Sequence, residues 1–300
     1  KEMQDQKAPK VYDPTALKVQ TNKLSDGRFE GYGQEDASEM YSSLLDGLHG
    51  EMNRIPVKPP WDELQDIEGE DDKDKSARYW KSYTDVDSSY MVDIFAGQIS
   101  SELVCSVCEN RNVSFDTTWI TGLNLPEDGS STTLTKCLDA YTSSELLDGD
   151  EAFRCPQCKV LTTHNKTIKF QRLPLYLSIS FKRFSSQSSN KMENVVTFPR
   201  GDEKLDMDKY ITDNGDSYSY RLYAICNHHG QSINNGHYTT FARNLGDNEW
   251  YNYNDSVVKG PYAGTVDDGG TAYMLLYERI DENGDRMRAD EDYLLGLGTA

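Results

Sequence analysis

No apolar run in this 300-residue sequence is long enough for a membrane-crossing helix, which needs roughly 20 residues; stretches such as AYMLLY at 272–277 fall far short. Residues 1–25 carry no charged-then-apolar export signal. Basic charge is also in deficit, 31 Lys and Arg against 50 Asp and Glu, for a net charge of −19. That balance repels nucleic-acid phosphates and anionic membrane surfaces, so neither is expected as a partner, whereas a partner with basic patches is. Cysteine is sparse, six in all, and four of these form two Cys-x-x-Cys pairs, Cys105/Cys108 and Cys155/Cys158. Such pairing in a chain of this size suits a metal better than a disulfide framework, and places the protein in a reducing compartment, cytoplasm or nucleus. What the sequence does have is 36% hydrophobic residues and 19 tyrosines, enough for a large core in one extended domain or two.

Along the chain, residues 1–12 read as the end of a helix and a loop. Asp13 before Pro14 gives a helix start, with proline at the first helical position. From Gln34 onward Ala37, Met40, Tyr41, Leu44, Leu45, Leu48 and Met52 recur at helical spacing, which predicts an amphipathic helix ending near Arg54, before Pro56, Pro59 and Pro60. Residues 61–75 are dominated by charge and read as an exposed insertion. Beyond them, SELVCSVC, RNVSFDTTWI, THNKTIKFQRL, LYLSISFKRF, SYRLYAICN, HYTTFAR, EWYNYND and TAYMLLYER are short and rich in β-branched and aromatic residues, separated by Gly, Asn, Asp or Pro. TLTKCLDAYTSSE is the one helical interruption, and 281–300 reads as an acidic, glycine-punctuated appendage.

Two knuckles, CSVC at 105–108 and CPQC at 155–158, offer four thiolates to one tetrahedral Zn²⁺ with no open position. The alternatives are free buried cysteines or a redox dithiol. A closed four-sulfur site is chemically inert, so its work would be to pin the base of a long β excursion with too thin a core of its own.

The stretch GHYTTFARNLGDNEWYNYND at 236–255 sets His237 and Asn254 seventeen residues apart, the spacing of two strands joined by a hairpin. An imidazole oriented by a side-chain oxygen usually serves a nucleophile; the plainer reading is a satisfied core histidine.

The surroundings of that histidine resemble a known family. YGQEDASEMYSSLLDGLHGEMNR is similar to the Gln-Gln-Asp box of the ubiquitin-specific proteases, deubiquitinating cysteine peptidases. YWKSYTDVDSSYMVDIFAGQISSELVCSVC, CPQC, LPLYLSISFKRF and YRLYAICNHHGQSINNGHYTTFARN resemble the later boxes in the same order, and so do EWYNYNDSVV and AYMLLYER, from about residue 10 to 280. The resemblance implies an α+β, papain-like architecture of thumb, palm and zinc-pinned β fingers, with an incomplete thumb. It divides the chain into a catalytic domain over 1–280 (13–60 thumb, 61–75 insertion, 98–200 fingers and adjoining palm, 201–280 palm) and a 281–300 tail. It implies His237 as general base, Asn254 as its orienting partner, Asp255 as support, and Gln34 and Asp36 as ligands of ubiquitin's C-terminal segment. Glu35 departs from the family's second glutamine. FDTTWITGLNLP and NHHGQSINNG fall where the family has blocking loops.

The family's cysteine box, Gly-Leu-x-Asn-Leu-Gly-Asn-Thr-Cys, does not occur in residues 1–300. Cys137 is expected in a packed helix and Cys226 in an interior strand, neither at the nucleophile's place. The expected function is therefore deubiquitinating thiol-dependent hydrolysis with the nucleophile on a segment outside these residues or on a separate polypeptide. The alternative is a catalytically inactive ubiquitin-binding scaffold of the same fold, and a zinc-ribbon adaptor for nucleic acid is disfavoured by the charge.

Overall fold

The computed structural model describes residues 13–31, 33–60, 64–185, 188–212, 216–232, 235–262 and 270–288; the reading of 1–12 as helix end and loop lies outside these. Four helices come first: α1 (Thr15–Leu24), α2 (Ala37–Glu51), α3 (Asp72–Val86) and α4 (Tyr90–Phe95). Strands β1 (Gly97–Cys105), β2 (Arg111–Thr118) and β3 (Thr121–Asn124) follow, then helix α5 (Leu134–Thr142). The remaining principal strands are β4 (Glu145–Leu147), β5 (His164–Arg172), β6 (Tyr176–Lys182), β7 (Ser219–Ser232), β8 (Asn235–Arg243), β9 (Trp250–Asn254), β10 (Val257–Tyr262) and β11 (Ala272–Ile280).

The helix starts follow their caps. Pro14, expected at the first helical position, is itself the N-cap of α1, and Asp13, one residue outside it, accepts from the N–H of Thr15 at 2.9 Å through Oδ1. Helix α2 ends at Glu51 rather than near Arg54, because the Met52 N–H closes the last turn on Leu48 O ahead of the prolines. Within the acidic stretch expected as an insertion, 61–63 lie outside the described residues and 72–75 form the first turn of α3, capped by Asp71. Carboxylates there are used structurally: Arg78 reaches both oxygens of Glu70 at 2.8 and 2.6 Å, and Lys75 pairs with Asp66 at 2.5 Å. Charge density alone had hidden the helix.

The fingers are a four-stranded antiparallel sheet in the order β2–β1–β5–β4. At its palm end Gly97 faces Thr118, and at the far end Cys105 faces His164. The palm sheet runs β10–β9–β8–β7–β11–β6–β3, antiparallel except for the β3–β6 pair. Successive residues Ala272, Tyr273, Met274 and Leu275 are all buried, so β11 is covered on both faces, which is why it reads as an unbroken apolar run. Leu134 and Leu138 of α5 join Leu123, Ile179, Phe181, Leu222 and Tyr277 in the core. The thumb helices dock through the Tyr41 hydroxyl, 3.0 Å from Ser178 Oγ, and through Phe95 against Tyr176.

The two stretches expected as loops over the substrate are largely strand. Residues 115–124 lie in β2 and β3, interrupted only at Trp119 and Ile120. Residues 227–232 continue β7, paired with β8 through His229–His237 and, past a register shift, Ser232–Asn235, while 233 and 234 of that stretch lie outside the described residues. Of the 281–300 tail, 289–300 lie outside the described residues, and 281–288 return to β11: Met287 N–H donates to Arg279 O at 3.0 Å, and Arg286 bonds the carboxylate of Glu278. No described helix is long and apolar enough to cross a membrane.

Candidate active site

Gly236 sets His237 at the start of β8. A Cβ at position 236 would lie 2.2 Å from His228 Nε2 and 2.8 Å from His229 O, so only glycine lets β7 and β8 close here. His237 Nε2 lies 2.7 Å from Asn254 Oδ1, at the end of β9, and 3.9 Å from Asp255 Oδ2. Asp255 takes a left-handed φ of 50° as the chain turns from β9 into β10. A carboxamide oxygen can only accept, so Nε2 carries the proton and Nδ1 is left with its lone pair. The imidazole is thus a fixed tautomer with one basic nitrogen, and with 43% of its side chain exposed it opens to a cleft rather than a core. The plainer reading of His237 as an interior side chain does not hold.

That cleft, about 290 Å³, lies between thumb and palm. Phe29, Gly33, Gln34 and Glu35 line one side, His237, Tyr238 and Asp255 the other. Asp36, the third residue of the Gln34–Asp36 box, caps α2 with Oδ1, which accepts from the N–H groups of Ser38 at 2.6 Å and Glu39 at 3.2 Å.

No cysteine among the described residues is presented to His237. Cys226 faces Thr240 across the β7–β8 ladder, and Thr240 is an odd three residues from His237 along β8, so the side chains of Cys226 and His237 point to opposite faces. Burial pushes the Cys226 thiol up to about 11. Cys137, 4% exposed within α5, is likewise raised by burial. Both remain thiols at neutral pH and act as small hydrophobic groups.

The other four cysteines come together. Their sulfurs lie within 4.8 Å of one another, with Cys105 Sγ 4.0 Å from Cys158 Sγ and Cys108 Sγ 3.6 Å from Cys155 Sγ. A tetrahedral ion with Zn–S bonds of about 2.3 Å requires S–S separations of about 3.8 Å, so the donor set fits. The two knuckles are built alike. Glu109 N–H closes on Cys105 O and Lys159 N–H on Cys155 O, while Cys105 N–H reaches Asn110 O and Cys155 N–H reaches Val160 O. Glu109 and Lys159 both take positive φ, 58° and 63°. The Thr162 hydroxyl beside Cys105 helps bring that thiol down to about 5, whereas Cys158, bonded by Cys108 and its other sulfur neighbours, is pushed up to about 12. A divalent metal would allow all four to ionise together.

A second imidazole has a triad-like setting that serves structure. His49 Nδ1 lies 2.7 Å from Ser89 Oγ and its Nε2 2.7 Å from Asp87 Oδ1. Ser89 is fully buried and accepts from Val92 N–H as the cap of α4, so it cannot meet a substrate. Asp87 also receives Lys58 and Asn53, and together they fasten α2 to α4. Sequence reading missed this cluster and also Tyr273, whose hydroxyl bonds Asp36 Oδ2 from within β11. Tyr273 sits in an apolar run that reads as plain core; only its being a tyrosine, which seeks a partner when buried, could have marked it.

Comparison with known proteins identifies the family. Residues 1–277 match the family described as ubiquitin carboxyl-terminal hydrolase. Ubiquitin carboxyl-terminal hydrolase 2 of Gallus gallus is 36% identical over 268 residues, 88% of this chain and 73% of that protein. Its Homo sapiens counterpart is 34% identical over 271 residues, 89% of this chain but 44% of that protein, so the chain spans less than half of the human relative. In structure, the chain resembles the SAGA Ubp8/Sgf11/Sus1/Sgf73 DUB module bound to ubiquitin aldehyde, with a TM-score of 0.62 and 22% identity. That alignment covers 89% of this chain and 54% of the other. The family match across nearly the whole chain, with the paired histidine and asparagine at the thumb–palm cleft, shows that this chain belongs to the ubiquitin carboxyl-terminal hydrolase family.

Proposed function

We propose that this chain forms the ubiquitin-gripping and base-supplying body of a deubiquitinase, which cleaves the isopeptide bond at the C-terminus of ubiquitin. The observation that carries it is the 2.7 Å contact of His237 Nε2 with Asn254 Oδ1 at an open cleft, which leaves Nδ1 as the proton acceptor. Asn254 orients the ring, and Asp255, 3.9 Å away, favours the imidazolium once formed. Gln34 and Asp36 meet the C-terminal segment of ubiquitin, the molecule held by related DUB modules whose fold this chain shares. The four cysteines hold a structural Zn²⁺ that stiffens the fingers, and a reducing cytoplasm or nucleus keeps them as thiolates.

In this scheme Nδ1 of His237 takes the proton of a cysteine thiol, and the thiolate adds to the isopeptide carbonyl carbon. As the tetrahedral species collapses, the imidazolium returns that proton to the departing lysine amine and a thioester remains. A water molecule, deprotonated by the same nitrogen, then releases the ubiquitin carboxylate and restores the thiol. In this reading the nucleophile comes from outside residues 1–300, which is supported by Cys137 being buried in α5, by Cys226 facing away from His237 and by the other four cysteines forming the metal cluster.

The same absence of a thiol at His237 supports a second reading, an inactive ubiquitin-binding scaffold. A ubiquitin probe with a thiol-reactive C-terminus separates them. Labelling of the full-length gene product that persists in Cys137→Ser and Cys226→Ser variants supports the enzyme, whereas ubiquitin binding without labelling supports the scaffold.

A further inference from the structure

Helix α2 begins where thumb meets palm, and its first N–H groups are held by one carboxylate. Asp36 Oδ1 accepts from Ser38 N–H at 2.6 Å, Ser38 Oγ at 2.5 Å and Glu39 N–H at 3.2 Å. The other oxygen, Oδ2, accepts the Tyr273 hydroxyl of β11, 237 residues away in sequence.

An ionised carboxylate presents about four acceptor directions. Oδ1 is fully used by the start of α2, and Oδ2 keeps one direction after Tyr273 is served. The cap alone fixes a single oxygen and lets the carboxylate plane turn about it; the second bond fixes the plane. Tyr273 can do so rigidly. It is 5% exposed, and its ring centroid lies 5.9 Å from that of Tyr238 and 6.3 Å from those of His228 and Phe184. Burial and the adjoining Asp36 carboxylate raise its hydroxyl well above the ordinary tyrosine range, so it remains a donor at every working pH.

We propose that Tyr273 is a positioning residue for substrate: it aims the remaining acceptor direction of Asp36 Oδ2 at an N–H donor of an extended peptide lying in the cleft beside Gln34 and His237. This rests on the deubiquitinase reading, in which that peptide is the C-terminal segment of ubiquitin. Tyr273 touches no reacting atom in this role. It acts through Asp36, whose neighbours Gln34 and Glu35 line the same cleft as His237.

The test is the affinity of the full chain for intact ubiquitin and for ubiquitin lacking its C-terminal residues, by calorimetry, with Tyr273→Phe alongside the natural chain. Loss of one oriented, charge-assisted hydrogen bond should weaken binding of intact ubiquitin about tenfold. The truncated form should bind both chains equally. Equal losses for the two ubiquitins would mean that Tyr273 supports only the fold, and no loss for either would mean that it supports nothing; both outcomes overturn the assignment. A second measurement uses Asp36→Asn, which preserves the helix cap. If the two residues act through one oxygen, the double variant loses no more than Asp36→Asn alone, and additive losses overturn the coupling. A natural chain that binds neither ubiquitin removes the deubiquitinase reading itself and this assignment with it.

Discussion

Arg286, beyond the end of β11, returns to bond the carboxylate of Glu278 within it. Glu278 is 1% exposed and also receives Arg221, at 2.9 Å, and Arg243. One buried anion therefore joins β7, β8, β11 and the segment after it. Removing it leaves guanidinium groups inside the palm without a counter-charge, and Glu278→Ala should cost about 3–5 kcal/mol. Arg286→Ala, which strips one of three donors from the carboxylate, should cost less. Urea unfolding midpoints of the two variants check the order, and a Glu278→Ala chain as stable as the natural one would remove this cluster as a palm fastener.

In the complete enzyme, His237→Ala should lower kcat by about 10²–10⁴ or more, the usual worth of a positioned general base. Asn254→Ala should lower it less, because the ring stays but loses its fixed tautomer. Neither should change ubiquitin affinity much. Turnover of a fluorogenic ubiquitin substrate, with affinity measured separately, checks both; undiminished hydrolysis by the His237 variant would take the base role from it.

Cys105→Ala should lower bound zinc from one ion per chain to none, because three thiolates cannot close the site. Metal content by mass spectrometry reads this directly. A chelator should lower the thermal midpoint of the natural chain, and unaltered zinc content in the variant would reject a four-cysteine site.

Alkaline conditions should destabilise the fold. Cys226 titrates at about 11 rather than 9.0 because burial penalises its thiolate, so the folded state holds that proton longer than the unfolded one. Its contribution is complete below pH 9.0 and is lost as pH rises through about 11. Two units correspond to on the order of 2–3 kcal/mol. Denaturant unfolding of the natural chain and a Cys226→Ala variant between pH 8 and 11 should show a shallower alkaline decline in the variant, and parallel curves would contradict it.

The parts of this molecule legible in the sequence are those in which local chemistry and final geometry coincide. Each Cys-x-x-Cys knuckle builds its own turn, and His237 and Asn254 belong to adjoining strands of one hairpin, so spacing pointed to both sets, while the roles of His237 and Asn254 came from the family resemblance. The helix that follows Asp36 was equally visible from its apolar spacing. The bond of Asp36 to Tyr273 was not, because 237 residues separate the two and no local pattern encodes that meeting. The same holds for Glu278, which reads as an ordinary strand-end carboxylate until three arginines converge on it. The charged residues 70–75 misled for another reason: Asp71 caps α3, Glu70 holds Arg78 and Asp72 holds Arg111, a use of charge that resembles an exposed loop until those partners are known.

The distance between His237 and Asn254 is set by the pairing of β8 with β9, in which Thr240 faces Tyr253 and Phe241 faces Asn252. The bend at 244–249 that joins them lies at the opposite end of that ladder. Descendants of this chain can therefore lengthen or reshape that bend without retuning the catalytic pair, whereas deleting a single residue inside either strand turns one partner away from the other. The outer rim is thus where variation can accumulate cheaply, and new recognition features have room to evolve there while the chemistry stays fixed.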